Sequence, residues 1–329
     1  MDIRKEYGYD DVVILPKPSS INSRDDVDIS ITLENQGGNS KVKLDFPLIA
    51  SPMRGIVDGD FILKISELGG LGILHRFYNT EEEHFAEIEK ISKAKRFGIS
   101  LGMTDTVATY EKVLEYQPTI LVLDVANGYT SNLLKACRIV KSYIEKVSPK
   151  TLLMSGNVTT GNGVKNLRDN GVDIARIGVG NGAECSTTNI TGIGRPIISS
   201  IIDCSYHTGI GICADGGIKN SGDFVKAIVA GADFAMAGAL FAQTYESVND
   251  GIIYGQASRK LQEMRGTQIK SVEGFERIVQ KKMSLEDFIN GFSYGIKSAG
   301  TYLDANNLNE IRANGMFVGA GKNTIKEEY

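Results

Sequence analysis

From residue 47 onward, short apolar runs built of strand-forming residue types alternate with stretches whose apolar positions recur at helical spacing. That alternation is the mark of repeated strand–helix units around a parallel sheet. Eight runs stand out: Pro47–Met53, Leu71–Arg76, Phe97–Gly102, Thr119–Ala126, Thr151–Val158, Ile174–Gly180, Gly211–Gly217 and Phe234–Ala242. Between them lie helical patterns such as Asn79–Ala94, Ser131–Val147 and Ser221–Ala230, each long enough for the crossover that parallel strands require. Eight units predict a closed (β/α)8 barrel, with an open doubly wound sheet as the alternative. No short repeat recurs, which disfavours a solenoid.

Two segments fall outside the repeat. Residues 1–46 carry Leu15-Pro16-Lys17-Pro18-Ser19-Ser20 and a polar alternating stretch up to Leu44, and are expected to form an N-terminal arm that covers the barrel bottom or reaches a neighbouring subunit. The barrel itself would occupy residues 47–329, including residues 243–285, a polar and weakly periodic stretch after the eighth strand. A segment of that length in a compact enzyme is usually a lid or flap. The pattern over Ser284–Tyr302 predicts the eighth barrel helix.

A length of 329 residues suits one barrel with extensions. Apolar residues at 42% and charged residues at 23% are globular values, and 37 glycines are about 11% against a background of roughly 7%, which together exclude disorder, coiled coil and collagen. A net charge of −4 provides no field for a polyanion, so no nucleic acid is expected as a partner. No apolar run approaches a membrane span and the N-terminus has no signal-peptide pattern, so a cytoplasmic protein is expected, with no membrane partner. Cys137, Cys185, Cys204 and Cys213 lack metal or disulfide spacing and fit reduced thiols. Three histidines leave little scope for a His-rich metal site.

In a barrel, ligands bind where the strands end. The sixth run ends in Gly178-Val179-Gly180-Asn181-Gly182-Ala183-Glu184-Cys185-Ser186-Thr187-Thr188. A lone cysteine is most often an inert core residue. Here Glu, Ser and Thr neighbours on a glycine-rich strand end imply exposure, which favours Cys185 as a nucleophile. The other three cysteines lie in strand or helix patterns and read as core. The seventh run ends in Asp215-Gly216-Gly217 and the eighth carries Gly238-Ala239. Glycines after these two strands let backbone amides approach a phosphate, and Asp215 could accept from ribose hydroxyls. The plainer reading is a pair of tight turns with Ser221 or Asp223 as a helix cap. Asp124, inside the fourth run, is either paired structurally or faces a ligand.

Taken together, Gly180-Asn181-Gly182-Ala183-Glu184-Cys185-Ser186-Thr187, Ala214-Asp215-Gly216-Gly217 with Ser221-Gly222-Asp223, and Ala230-Gly231-Ala232-Asp233 resemble the IMP dehydrogenase and GMP reductase family over nearly the whole chain. The resemblance implies a cysteine that attacks C2 of a purine nucleotide, a nicotinamide cofactor that exchanges hydride with that carbon, and a covalent thioimidate-type intermediate. Cys185 would be the nucleophile, and the carbonyls of Gly180, Gly182 and Cys185 could hold a monovalent cation such as K+. The reductase branch is favoured by Asp124-Val125-Ala126-Asn127-Gly128-Tyr129, by Ser23-Arg24, by Ser298-Ala299-Gly300-Thr301-Tyr302, and by a chain that contains no Arg-Tyr dipeptide. Departures from the reductase pattern are Ser51-Pro52-Met53, Arg54 at an acidic or amide position, Arg76 for lysine, Asn181 for proline and Lys270 for arginine.

The resemblance therefore implies an NADPH-dependent reduction of GMP to IMP and ammonia. Thr187 and Glu273 would shuttle a proton beside Cys185. Ser51, Met53, Asp215, Gly216, Gly217, Gly238, Ala239, Gly255, Gln256, Ala257, Lys270 and Gly274 would hold the nucleotide. Ser23, Arg24, Arg76, Asp124, Val125, Ala126, Asn127, Ser298 and Thr301 would face the cofactor, in a homo-oligomer expected to be a tetramer. The alternatives are oxidation of IMP to XMP with NAD, a nucleotide-binding regulator without turnover, and a phosphosugar barrel enzyme with an incidental cysteine.

Overall fold

Each of the eight apolar runs contains a parallel strand shorter than the run itself. The computed structural model describes residues 3–182, 186–206, 209–254 and 276–320. The barrel strands are β1 (Leu48–Ala50), β2 (Ile73–Leu74), β3 (Gly98–Leu101), β4 (Ile120–Asp124), β5 (Leu152–Val158), β6 (Ile174–Ile177), β7 (Gly211–Asp215) and β8 (Phe234–Ala237). They pair in sequence order, with β8 beside β1. A parallel bridge joins Ala50 to Gly72, and the Ala50 amide donates to the Leu71 carbonyl at 3.0 Å, so β1 also meets β2 and the ring closes. The open sheet is thereby eliminated.

Strand alternation divides the core in two. Ile120, Val122, Leu152, Met154, Ile174, Cys213, Phe234 and Met236 fill the barrel, while Leu121, Leu123 and Leu153 pack outward with the helices. An antiparallel hairpin in the N-terminal segment, Ile31–Glu34 with Lys41–Leu44, adds Leu33 and Leu44 to the inner cluster. These residues sit where the strands begin, so the hairpin covers the barrel bottom and a ligand must enter at the strands' C-terminal ends.

The barrel helices are α1 (Gly59–Glu67), α2 (Glu81–Ile91), α3 (Val107–Leu114), α4 (Ser131–Val147), α5 (Gly161–Arg168), α6 (Ile197–Ser205), α7 (Ser221–Ala230) and α8 (Leu285–Leu303). Every one except α6 begins after a residue whose side chain accepts from the backbone amide three positions on, among them Thr130, Thr160, Asn220 and Ser284. Such caps satisfy donors that the first helical turn leaves open. Helix α6 follows Pro196 and has no side-chain cap. After β8, Ile252–Tyr254 pairs antiparallel with Glu276–Ile278. Residues 255–275 between them lie outside the described residues. Among the described residues, no helix is long and apolar enough to cross a membrane.

Candidate functional site

At the open end, three strands converge on one guanidinium. Arg176 on β6 donates from Nη1 to Asp124 Oδ1 at 2.7 Å, and from Nη2 to Asp215 Oδ2 at 2.8 Å. Asn157 on β5 donates to the same Asp215 oxygen at 2.7 Å and to the Gly178 carbonyl at 2.8 Å. Burial works against the charged form of Arg176, yet the charges of Asp215 and Asp124 outweigh it and hold its pKa above the ordinary arginine range. Asp124 is structurally paired, one of the two readings its position allowed. It is paired through Oδ1, while its buried Oδ2 has no hydrogen-bond partner among the described residues. An unpartnered buried carboxylate oxygen is costly unless a ligand supplies a donor. For Asp215, every described hydrogen bond to the side chain falls on Oδ2, leaving Oδ1 for a hydroxyl donor.

Arg176 and Asn157 escaped the sequence reading. The signal was present: an arginine interrupts Ile174-Ala175-Arg176-Ile177, and a charged side chain in a strand of four buried residues must have buried partners.

The two glycine turns after β7 and β8 lie against other predicted site residues. Gly216 and Gly217 have φ of +96° and +78°, conformations that exclude most side chains. A Cβ on Gly216 would come within 3.0 Å of the Gly182 amide nitrogen, and one on Gly217 within 3.1 Å of the Asn181 carbonyl. The start of the Cys185 loop therefore rests directly on the Asp215-Gly216-Gly217 turn. The Met53 thioether packs against Gly238 where a Cβ would project, and Ser51 is held by its amide to the Ala237 carbonyl at 3.0 Å. The cap of α7 is Asn220, in place of Ser221 or Asp223. Asp223 instead accepts from the Lys219 amide at 3.0 Å and steadies the turn between β7 and α7.

Arg76 lies at the same mouth, with its guanidinium over the Phe77 ring at 4.6 Å and Nη2 3.5 Å from the Asp124 carbonyl. Its Nε is buried and unpartnered among the described residues. Arg54 turns to the Phe77 carbonyl at 2.7 Å, bracing the β2 loop. Val125 and Ala126 continue from Asp124, and Asn127 accepts the Tyr129 amide through Oδ1 at 3.0 Å, shaping the β4 loop. Thr187 opens the short helix Thr187–Thr191. Cys185 itself, Gly255, Gln256, Ala257, Lys270, Glu273 and Gly274 lie outside the described residues. Asn181, where the resemblance expects proline, donates from Nδ2 to the carbonyls of Val179 and Arg195 at 3.2 and 3.1 Å.

A cavity of about 530 Å3 is lined by Ser23, Arg24, Thr301, Tyr294 and Tyr302. Arg24 stacks on Tyr294 at 4.4 Å and donates to its hydroxyl, while its Nε is buried without a partner among the described residues. Ser298 belongs to the same turn of α8, its carbonyl accepting from Thr301 Oγ1 at 2.7 Å. This cavity shares no lining residue with the barrel mouth.

The three described cysteines are core. Cys137, Cys204 and Cys213 are buried, and burial raises their thiols to about 11, to about 12 and well above the usual range, which makes them poor nucleophiles.

The mouth thus combines a glycine turn beside Asp215 with buried polar atoms of Asp124 and Arg76 that lack partners among the described residues, donors and acceptors suited to a polar ligand. Comparison with known proteins points the same way. A family model described as "IMP dehydrogenase / GMP reductase domain" matches residues 6–329. The chain is 31% identical to a GMP reductase of Chromobacterium violaceum, with 94% of this chain and 97% of that one covered. It is 30% identical to a GMP reductase of Staphylococcus carnosus, with 94% of each covered. An inosine-5'-monophosphate dehydrogenase of Borreliella burgdorferi is 27% identical, with 98% of this chain and 95% of that one covered.

Proposed function

The chain belongs to the IMP dehydrogenase and GMP reductase family of oxidoreductases, and from that membership we propose that it reduces GMP to IMP and ammonia with NADPH through a covalent adduct on Cys185. The observation that carries the proposal is the contact between the Cys185 loop and the Asp215-Gly216-Gly217 turn. A nucleotide whose ribose is held by Asp215, and whose phosphate lies on the amides after β7 and β8, would have its base beside the cysteine. The branch rests on Asp124-Val125-Ala126-Asn127-Gly128-Tyr129 and on a chain that lacks the Arg-Tyr pair associated with water activation.

In this reading Cys185 adds to C2 of the purine as a thiolate. Thr187 and Glu273 deliver a proton to the 2-amino group, which departs as ammonia. A bound nicotinamide cofactor would supply the hydride that C2 requires, and Cys185 departs from C2 as its thiolate to give IMP. Asp124, Asn127 and Arg76, with Val125 and Ala126, orient the nicotinamide end. The cavity around Ser23, Arg24, Ser298 and Thr301 takes the phosphate-bearing end of the cofactor from a neighbouring copy, since it shares nothing with the mouth of its own barrel. That arrangement needs a homo-oligomer, proposed as a tetramer. Ser51, Met53, Gly238, Ala239, Gly255, Gln256, Ala257, Lys270 and Gly274 complete the nucleotide site, and a monovalent cation on the carbonyls of Gly180, Gly182 and Cys185 belongs to the same proposal.

The test is absorbance at the reduced-cofactor band, with GMP plus NADPH in one assay and IMP plus NAD in another. Consumption of NADPH with release of ammonia supports the proposal. XMP formation from IMP at a matching rate would place the chain in the dehydrogenase branch, the reading that Ser51-Pro52-Met53 favours.

A further inference from the structure

The loop that carries Cys185 is tied shut at its neck. Gly180 and Gly194 close on the Thr188 hydroxyl from two sides, leaving no space for a side chain on either glycine. That hydroxyl donates to the Ile193 carbonyl at 3.2 Å. The Asn181 amide bridges the carbonyls of Val179 and Arg195, and the Arg195 backbone amide lies 3.4 Å from the Val179 carbonyl. Both ends of the loop are thus joined by hydrogen bonds on either side of the segment bearing the cysteine.

The Arg195 side chain then fixes this neck to three other parts of the protein. Nη1 donates to the Thr159 carbonyl just beyond β5 at 2.8 Å and to Asp203 Oδ2 on α6 at 2.6 Å. Nε and Nη2 grip both carboxylate oxygens of Glu6 at 2.8 to 3.0 Å. Tyr7, next to Glu6, is stitched to α6: its amide donates to Ser199 Oγ at 2.9 Å and its carbonyl accepts the Ser199 amide at 3.2 Å. A planar fork of donors can meet a carbonyl and two carboxylates at once, whereas a lysine ammonium cannot reproduce the paired contact with Glu6. Helix α6, which starts directly after this neck, is the barrel helix without a side-chain cap, and Arg195 ties that junction to β5, α6 and the N-terminal segment.

We propose that Arg195 is a positioning residue for the Cys185 loop, with Glu6 of the N-terminal segment as its counter-ion, so that this segment is part of the support of the active site. The inference rests on the reading of Cys185 as nucleophile. Misplacement of a reacting group by about 1 Å can cost on the order of a hundredfold in rate, so loss of the anchor should act on the chemical step.

The experiment measures kcat, KM for GMP and for NADPH, and the rate of Cys185 alkylation by iodoacetamide, under conditions where denaturation curves show each variant folded. Arg195→Ala is expected to lower kcat and the alkylation rate together, by about ten- to a hundredfold, with KM for NADPH unchanged. Glu6→Gln should do the same to a smaller extent, Arg195→Lys should recover part of the loss, and the double variant should be no worse than Arg195→Ala alone, because Glu6 acts through Arg195. Unchanged kcat and alkylation in Arg195→Ala alongside lowered stability would overturn the proposal, as would additive effects in the double variant. If Arg195→Ala does not fold, Glu6→Gln and Arg195→Lys carry the test, and normal kcat in both overturns it. Cys185→Ala is assayed in parallel. Activity retained there defeats the nucleophile reading, whereas an inactive Cys185→Ala beside fully active Glu6 and Arg195 variants defeats only the positioning role.

Discussion

Arg176→Met is the most direct perturbation of the barrel mouth. Arg176 is 5% exposed and Asp124 2%, and three described hydrogen bonds run from Arg176 to the carboxylates of Asp124 and Asp215. Methionine fills similar space and removes the charge. Two neighbouring carboxylates are then left without their cation, and breaking a buried pair in this way typically costs about 3–5 kcal/mol. With a urea dependence of about 3 kcal/mol per M for a chain of this size, the unfolding midpoint should fall by roughly 1 M or more. The assay is urea denaturation followed by circular dichroism on the wild type, Arg176→Met, and the triple variant Arg176→Met/Asp124→Asn/Asp215→Asn. Neutralising both acids removes the orphaned charges, so the triple variant should regain a large part of the lost stability while lacking the ligand contacts and hence activity. A midpoint for Arg176→Met within about 0.3 M of wild type, less than 1 kcal/mol on the same slope, would refute the view that this arginine neutralises the mouth. A triple variant as unstable as the single one would also refute it.

Four further outcomes are expected. Cys185→Ala should abolish turnover while GMP binding, read by calorimetry, persists through the Asp215-Gly216-Gly217 turn; substantial residual activity would exclude covalent catalysis. Arg24→Ala should raise KM for NADPH about tenfold or more and leave NADH nearly unaffected, since a charge-assisted contact to phosphate is worth roughly 1.5–3 kcal/mol; equal effects on both cofactors would count against a phosphate contact. Glu273→Gln should suppress ammonia release more than it weakens GMP binding, and a change in affinity alone would remove Glu273 from proton transfer. Burial lowers His84 to about 4 in the folded protein, and its Nε2 has no partner among the described residues, so the unfolded chain takes up a proton first as pH falls below about 6.5. Stability should therefore drop from pH 7 toward pH 4, with His84 accounting for roughly 2 kcal/mol between pH 7 and 5, and His84→Gln should flatten the curve by that amount. Parallel curves for the two proteins would contradict this.

The barrel was legible in the sequence because its determinants are local. A strand buried on both faces must be a short continuous apolar run, and each of the eight runs contains one. The boundaries of Ser131–Val147 and Ser221–Ala230 coincide with those of the helices because Thr130 and Asn220 cap them from the adjacent position. Ring closure, through Ala50 and Gly72, was implied by the count of units and decided only by the fold. The glycine turn after β7 was readable for a similar reason, since a backbone at positive φ leaves glycine in the sequence.

The electrostatics of the mouth could not be read in that way. Arg176 meets Asp124 from 52 positions away and Asp215 from 39, and Arg195 meets Glu6 from 189. Nothing in the local pattern marks such pairs, because an ion pair depends on separation in space and on the exclusion of water around it. The sequence could name Asp124 and Asp215 as unusual acids on strand ends. Only the closed barrel, by setting β4, β5, β6 and β7 side by side, decided that they share one arginine and that an oxygen of Asp124 has no partner among the described residues. It likewise placed Ser23, Arg24 and Thr301 in one cavity apart from that mouth, because the N-terminal segment crosses α8 before it enters the barrel.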